Sequence, residues 1–273
     1  MIESNPSGTV NTPMLSVITV VYNAVQEIEA TMLSVLNQDY QDFEYIIIDG
    51  ASTDGTLEVI KRYKGRLVHL VSEPDKGIYD AMNKGLALAR GRYVAFKNAG
   101  DTYSDGSLTL AMQVAQSTNA ALVYGNTEKL WPAFDGNDAV RSLLTSDHSL
   151  LRLRSCLDHR SAFVRRDIHR PFDTQYRLAA DYDLFCELLV RGFQFEKINQ
   201  VLSVMQGGGA SDNVGIYHEI KRIQTRYFGG LYATYNYYRL HLSYAKLKAQ
   251  DRILRLVLGP DNFRRFKGRK NKR

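Results

Sequence analysis

The 273-residue chain is 44% apolar and 23% charged, which suits one large domain or two fused lobes around a sizeable core and excludes a disordered polypeptide. Its formal charge of +6 is gathered at the end: residues 261–273 hold seven Lys and Arg against one Asp, so the body is near neutrality and a general nucleic-acid binder is excluded. Two lone cysteines, Cys156 and Cys186, exclude a disulfide framework. With a polar start and no apolar run long enough to span a bilayer, the expected compartment is the cytoplasm.

Residues 15–22 form a continuous apolar, β-branched run, the pattern of a strand buried on both faces. Residues 24–38 read as a helix with Ile28, Met32, Val35 and Leu36 on one side, and 43–48 as a second buried strand ending at Asp49-Gly50. Thr53-Asp54-Gly55-Thr56 reads as a turn opening a helix over 57–63. A third strand over 66–72, a helix over 78–90 stopped by Gly91, and a strand over 92–96 complete a βαβαβαβ series. Such a series predicts a mostly parallel sheet with right-handed crossovers.

The second half is less regular. Residues 121–124 and 162–164 read as strands, 131–154 as loop-rich, 182–191 as a helix ended by Gly192, and 193–204 as one or two strands. Gly207-Gly208-Gly209 breaks regular structure, and 217–258 is helical, rich in Tyr, Leu and basic residues.

Open α/β sheets bind ligands beyond the carboxyl ends of their strands. Four such ends here are polar: Tyr22-Asn23, Asp49, residues 73–76, and 98–101. One polar end is ordinary turn chemistry; four on one sheet edge point to a site.

The segments LSVITVVYN (15–23), IDGASTDGT (48–56), SEPDKGIYDAMNKG (72–85) and GRYVAFKNAGD (91–101) resemble the GT-A fold, family 2 glycosyltransferases. The likeness is to bacterial exopolysaccharide enzymes of the colanic-acid type. It continues through YRLAADYDLFCELL (176–189) and GGGAS (207–211). The resemblance implies an α/β GT-A domain over 14–212, with a nucleotide-sugar half (14–125) and an acceptor and base half (126–212), followed by a helical, basic extension (213–273). It implies an inverting transferase that uses a nucleotide-diphosphate sugar, a Mg²⁺ or Mn²⁺ ion, and a glycan or lipid-linked acceptor of surface polysaccharide synthesis.

Residue by residue, Asn98-Ala99-Gly100-Asp101 stands where the family has its metal motif. Asp101 matches the ligand, with Asn98 in place of the first acid; hard divalent cations favour such oxygen donors. Asp49 matches the acid facing base and ribose, and Tyr22 the residue packing on the base, although Gly50 replaces a second acid. Asp75 and Lys76 match donor-side positions, and Asp75 reads equally as a cap for the following helix. Asn83 matches a recurrent polar position, while Asp80 and Lys84 read as an i,i+4 pair. Asp181 matches the catalytic base, preceded by Ala180 instead of Glu, with Asp183 as rival and helix capping as the bland reading. His159 matches a family histidine near the sugars or is structural. Lys97 stands where the family has an apolar residue.

The aromatic and basic stretch 217–258 and the basic tail have two readings: a peripheral membrane contact, or helices packed on the catalytic lobe or a second copy. Two rivals to an active transferase are a nucleotide-sugar-binding protein without turnover, suggested by Asn98 and Ala180, and a sugar nucleotidyltransferase. The latter needs a Gly-rich basic loop after the first strand, which 23–27 lacks.

Overall fold

The computed structural model describes residues 12–131, 140–207 and 215–270. Its first half alternates β1 (Leu15–Val21), α1 (Ile28–Leu36), β2 (Phe43–Asp49), α2 (Thr56–Lys61), β3 (His69–Ser72), α3 (Ile78–Leu88) and β4 (Tyr93–Asn98). Strands β3-β2-β1-β4 lie side by side in parallel, as the apolar runs require. Because successive side chains on a strand point to opposite faces, each run feeds two cores. Ile18, Val20, Ile46, Ile48, Val94 and Phe96 pack beneath α3, and Val17, Tyr45, Ile47, Tyr93 and Ala95 pack beneath α1. Helix α3 lies so close that a Cβ at Gly85 would stand 2.4 Å from Cγ2 of Ile18.

The second half extends the sheet with reversed strands. Short β5 (Thr102–Tyr103) is followed by α4 (Ser107–Thr118), β6 (Leu122–Trp131), β7 (Val140–Leu144), β8 (Ala162–Arg165), α5 (Ala180–Val190) and β9 (Phe195–Gln206). Among the described residues the sheet runs β3-β2-β1-β4-β8-β6-β9-β5, with β7 on β6. Strand β8 is antiparallel to both β4 and β6, whereas β9 is parallel to β6.

Besides the two-residue β5, two features are absent from the sequence reading. Helix α4 buries Leu108, Ala111, Met112 and Ala115, and small alanines give its inner face little hydropathic contrast. The stretch read as loop-rich carries β7, paired antiparallel with β6. The division at 125/126 falls inside β6, and that at 212/213 lies outside the described residues, as do Gly208 to Ser211. The chain ends in α6 (Ile216–Phe228) and α7 (Gly230–Lys270), the latter interrupted at Gly259. Buried Ile220 and Ile223 of α6 join the α3-side core with Tyr182 and Phe185 of α5. Among the described residues no helix is long and apolar enough to cross a membrane.

Candidate functional site

The parallel register sets the ends of three strands in a row. Val21 of β1 lies opposite Asp49, and Val20 lies opposite Asn98. Beyond Asn98 the chain turns into a cleft of about 910 Å³ that Asn98, Asp101, His159 and Asp181 all line. These four come from three separate stretches of sequence, brought together because β8 inserts beside β4 and carries the turn before it to the end of β4.

Asp181 and His159 form a pair. Nδ1 of His159 lies 2.7 Å from Oδ2 of Asp181, with each side chain 13% exposed. Oδ1 of Asp181 accepts from the Tyr79 hydroxyl at 3.2 Å and from the Tyr182 backbone N–H at 2.8 Å. Nε2 of His159 faces the Asn98 amide at 3.2 Å. Asp181 is the second residue of α5; the position before the helix is Ala179, so capping does not account for this acid.

Beneath Asp101 lies a buried charge cluster. Asp158 receives Nε of Arg160 at 2.7 Å, and Nη1 of Arg160 lies 3.8 Å from Oδ2 of Asp101. Burial raises the Asp101 carboxyl above the usual range, with Arg160 and Lys97 opposing it. Burial also works against ionised Asp158, but Arg160 outweighs it and brings that carboxyl down to about 2. Lys97 is fully buried in β4, and its Nζ donates to Oγ of Ser203 at 2.7 Å and to the Arg160 carbonyl at 2.9 Å while lying 3.7 Å from the Tyr103 ring centroid. Desolvation pushes its ammonium down to about 7. The residue that breaks the family pattern thus ties β4, β9 and the His159 turn together beneath the cleft.

A second patch lies at the ends of β1 and β2. Tyr22 is 64% exposed, so it is not a core-edge aromatic. A Cβ at Gly50 would stand 2.5 Å from Oδ2 of Asp75 and 3.3 Å from the Tyr22 ring, so Gly50 is the floor on which these two side chains close. Oδ1 of Asp75 also accepts from the Gly77 N–H at 2.8 Å, an Asx-type turn ahead of α3, whose N-cap Gly77 carries no side-chain cap bond. Lys76 is exposed beside it.

Several of the residues singled out in the sequence are bonded within the protein. Asp49 is fully buried, and its carboxylate is taken up by the hydroxyls of Ser52 and Ser72, the latter at 2.6 Å. These bonds tie the end of β2 to β3 and to the turn that follows β2. Asn83 does not line the cleft: both ends of its amide bond the backbone of Phe172, at 2.9 and 2.7 Å. Asp80 and Lys84 do not pair, since Asp80 accepts from the Lys76 N–H and Lys84 bridges to Glu73 at 2.8 Å. The rival base, Asp183, is fully buried against Arg170 and Arg226. Sequence reasoning missed Tyr79, Asp158 and Arg160, although Tyr79 lies inside the 72–85 motif and the other two flank His159.

For a divalent cation the fit rests on two oxygens. Asp101 supplies a carboxylate lining the cleft, and Oδ1 of Asn98 is buried without a hydrogen-bond partner. Both are hard donors suited to Mg²⁺ or Mn²⁺. Among the described residues no group of three or more His, Cys, Asp or Glu is arranged to hold an ion by itself.

Comparisons with known proteins agree with this architecture. A family model described as Glycosyl transferase family 2 matches residues 16–136. A PGL/p-HBAD biosynthesis glycosyltransferase of Mycobacterium tuberculosis is 30% identical over 179 residues, covering 63% of this chain and 68% of the relative. The putative teichuronic acid biosynthesis glycosyltransferase TuaG of Bacillus subtilis is 29% identical over 234 residues, covering 77% and 90%. Among solved structures, S. aureus TarS 1–349 in complex with UDP-GlcNAc superposes with a TM-score of 0.61 at 17% identity, over 77% of this chain and 65% of that one. Against a longer TarS structure the chain spans 39% of the length. Mannosyltransferase PcManGT from Pyrobaculum calidifontis, in complex with GDP-Man and Mn²⁺, gives 0.55 at 20% identity, over 80% and 62%. At these identities the solved structures speak for the fold.

Proposed function

Because the chain belongs to glycosyltransferase family 2, we propose that its cleft transfers a sugar from a nucleotide-diphosphate sugar to a glycan or lipid-linked acceptor, with inversion, in the synthesis of a surface polysaccharide. The observation that carries this reading is the convergence of the Asp181–His159 pair with Asn98 and Asp101 in one cleft at the carboxyl ends of the sheet. The relatives' names, teichuronic acid and PGL/p-HBAD biosynthesis, support a surface-glycan product.

Tyr22 offers an exposed ring for the nucleotide base, and Asp75 beside it accepts hydrogen bonds from ribose or base. Lys76 and the backbone ahead of α3 meet the diphosphate. Asp101, with the free Oδ1 of Asn98, would hold Mg²⁺ or Mn²⁺, which when bound neutralises charge on the leaving diphosphate. The acceptor hydroxyl attacks the anomeric carbon from the face opposite the diphosphate. As the new C–O bond forms, the anomeric bond to phosphate breaks and the nucleoside diphosphate departs. The hydroxyl proton passes to Asp181, held in orientation by His159 and Tyr79. One displacement inverts the anomeric centre.

The C-terminal helices supply a further surface. One face of α7 packs inward through Ala233 and Asn236, both fully buried. The other presents Leu231, Tyr235, Tyr238 and Leu242 at helical spacing, each at least 60% exposed. With the basic tail that follows, this face suits a peripheral contact with anionic lipid.

A thermal-shift series with UDP-, GDP-, dTDP- and CMP-sugars, each with and without Mn²⁺ or Mg²⁺, tests the donor reading. A metal-dependent rise in Tm with one nucleotide class is expected. The neighbour that holds UDP-GlcNAc and the one that holds GDP-Man leave both bases in play. No rise with any nucleotide sugar would remove the donor site from this cleft.

A further inference from the structure

Helix α5 enters the cleft without a cap of its own: no side chain at its N-terminal position bonds the first turn. The free backbone N–H groups just ahead of it are satisfied from 40 or more residues away. Oε1 of Glu219, on α6, accepts from the Arg177 N–H, and its Oε2 accepts from those of Leu178 and Ala179, all at 2.9 Å. Asp181 follows Ala179 by two positions.

Helices α6 and α7 also bond the backbone upstream of His159. Gln224 and Tyr232 donate to the Arg152 carbonyl at 2.9 and 3.0 Å, and Asn236 donates to that of Leu153 at 2.7 Å. These carbonyls lie on the stretch leading to His159. Gln224 and Asn236 are fully buried and bond each other at 2.8 Å, so the brace is rigid and dry. Tyr217, Ile220, Leu240 and Tyr244 of the same two helices line the cleft itself.

We propose that Glu219 is a positioning residue of the transfer site: its carboxylate, reaching from the C-terminal hairpin beyond the region the family model matches, fixes the turn that presents Asp181 to His159. The inference rests on the reading of Asp181 as the base. Three charge-assisted bonds converge on one carboxylate, and such bonds are about twice as strong as neutral ones. Without them the turn is free to shift, and displacements of about 1 Å at a catalytic group can cost on the order of a hundred-fold in rate.

The first test needs no substrate. Imidazole ¹⁵N shifts of His159 are recorded at one pH in the 273-residue protein, with the signal assigned through His159→Gln and the broken contact marked by Asp181→Asn. Glu219→Ala, or the equal-sized Glu219→Gln should alanine fail to fold, is expected to move the His159 shifts toward those of Asp181→Asn. Shifts that overlay the wild type would overturn the proposal. This readout stands even if the chain proves not to transfer sugar, so the two readings fail separately. In turnover, using the nucleotide sugar that gives the largest thermal shift, Glu219→Ala should lower kcat about ten- to a hundred-fold with donor KM unchanged. Combined with Asp181→Asn it should add no further loss. Losses that multiply, or a rise in donor KM alone, would show that Glu219 acts elsewhere.

Discussion

At the scale of single residues, the site is defined by which polar atoms are committed and which remain open. Asp49 and Asp183 are acids at strand and helix ends, yet both are fully buried, whereas Asp181 lines the cleft, bonded by His159, Tyr79 and the Tyr182 N–H. Asp181→Asn keeps the shape of the pair and removes the proton acceptor. It is expected to leave donor affinity unchanged in calorimetry and to lower kcat roughly 10²- to 10⁴-fold; near-normal turnover would transfer the role to another group. Lys97 makes a prediction of opposite kind, in stability. Burial lowers its pKa from 10.5 to about 7. Between those values the unfolded chain binds a proton that the folded chain has released, so stability rises with pH across the window. The destabilising effect is complete below about 7 and is relieved above it. Lys97→Met should remove this slope, at most about 1.4 kcal/mol per pH unit. Urea unfolding of both proteins at about pH 7 and about pH 9 reads the difference, and equal slopes would mean that Lys97 keeps its proton when folded.

At the scale of elements, the first-half strands and helices follow from local pattern, and their junctions follow from close packing. Helix α3 carries Tyr79 to Asp181 only because Gly85 lets it sit against Ile18 and Ile48. Gly85→Ala should therefore destabilise the fold by about 1–3 kcal/mol, despite alanine's better helix propensity. An unchanged urea midpoint would show that α3 yields without cost. Helix α4 and strand β7 were not legible for physical reasons. An alanine-faced helix has weak amphipathic contrast, and an edge strand exposing Leu143 and Leu144 lacks clean alternation.

At the scale of the molecule, the C-terminal helices line the candidate cleft on their inner face, and α7 exposes apolar side chains on its outer one. The inner face completes the core through Ile220 and Ile223 and bonds the backbone ahead of Asp181 and at Arg152, upstream of His159. The outer stripe on α7 bears on location. Co-sedimentation with phosphatidylcholine vesicles, with and without phosphatidylglycerol, should show binding that depends on anionic lipid. The double variant Leu231→Glu/Leu242→Glu, or deletion of residues 262–273, should weaken it. A wild-type protein that stays in the supernatant with anionic vesicles would sink the membrane reading and leave packing as the helices' whole role.

By itself the sequence determined the alternating βαβ half, the double burial of β1 and β2 and the approximate places of Tyr22, Asn98 and Asp101, because these are written in short-range periodicity and at strand ends, while Asp181 stood out only through the family resemblance. Only the tertiary structure decided that β8 inserts antiparallel beside β4, that His159 meets Asp181, that Asp49 and Asn83 are spent on neighbouring hydroxyls and backbone, and that Glu219 caps a turn 40 or more residues behind it. Each of those contacts joins segments well apart in the chain. Apart from those of Asp49, they depend on how the irregular second half threads through the sheet, and no local spacing carries that information.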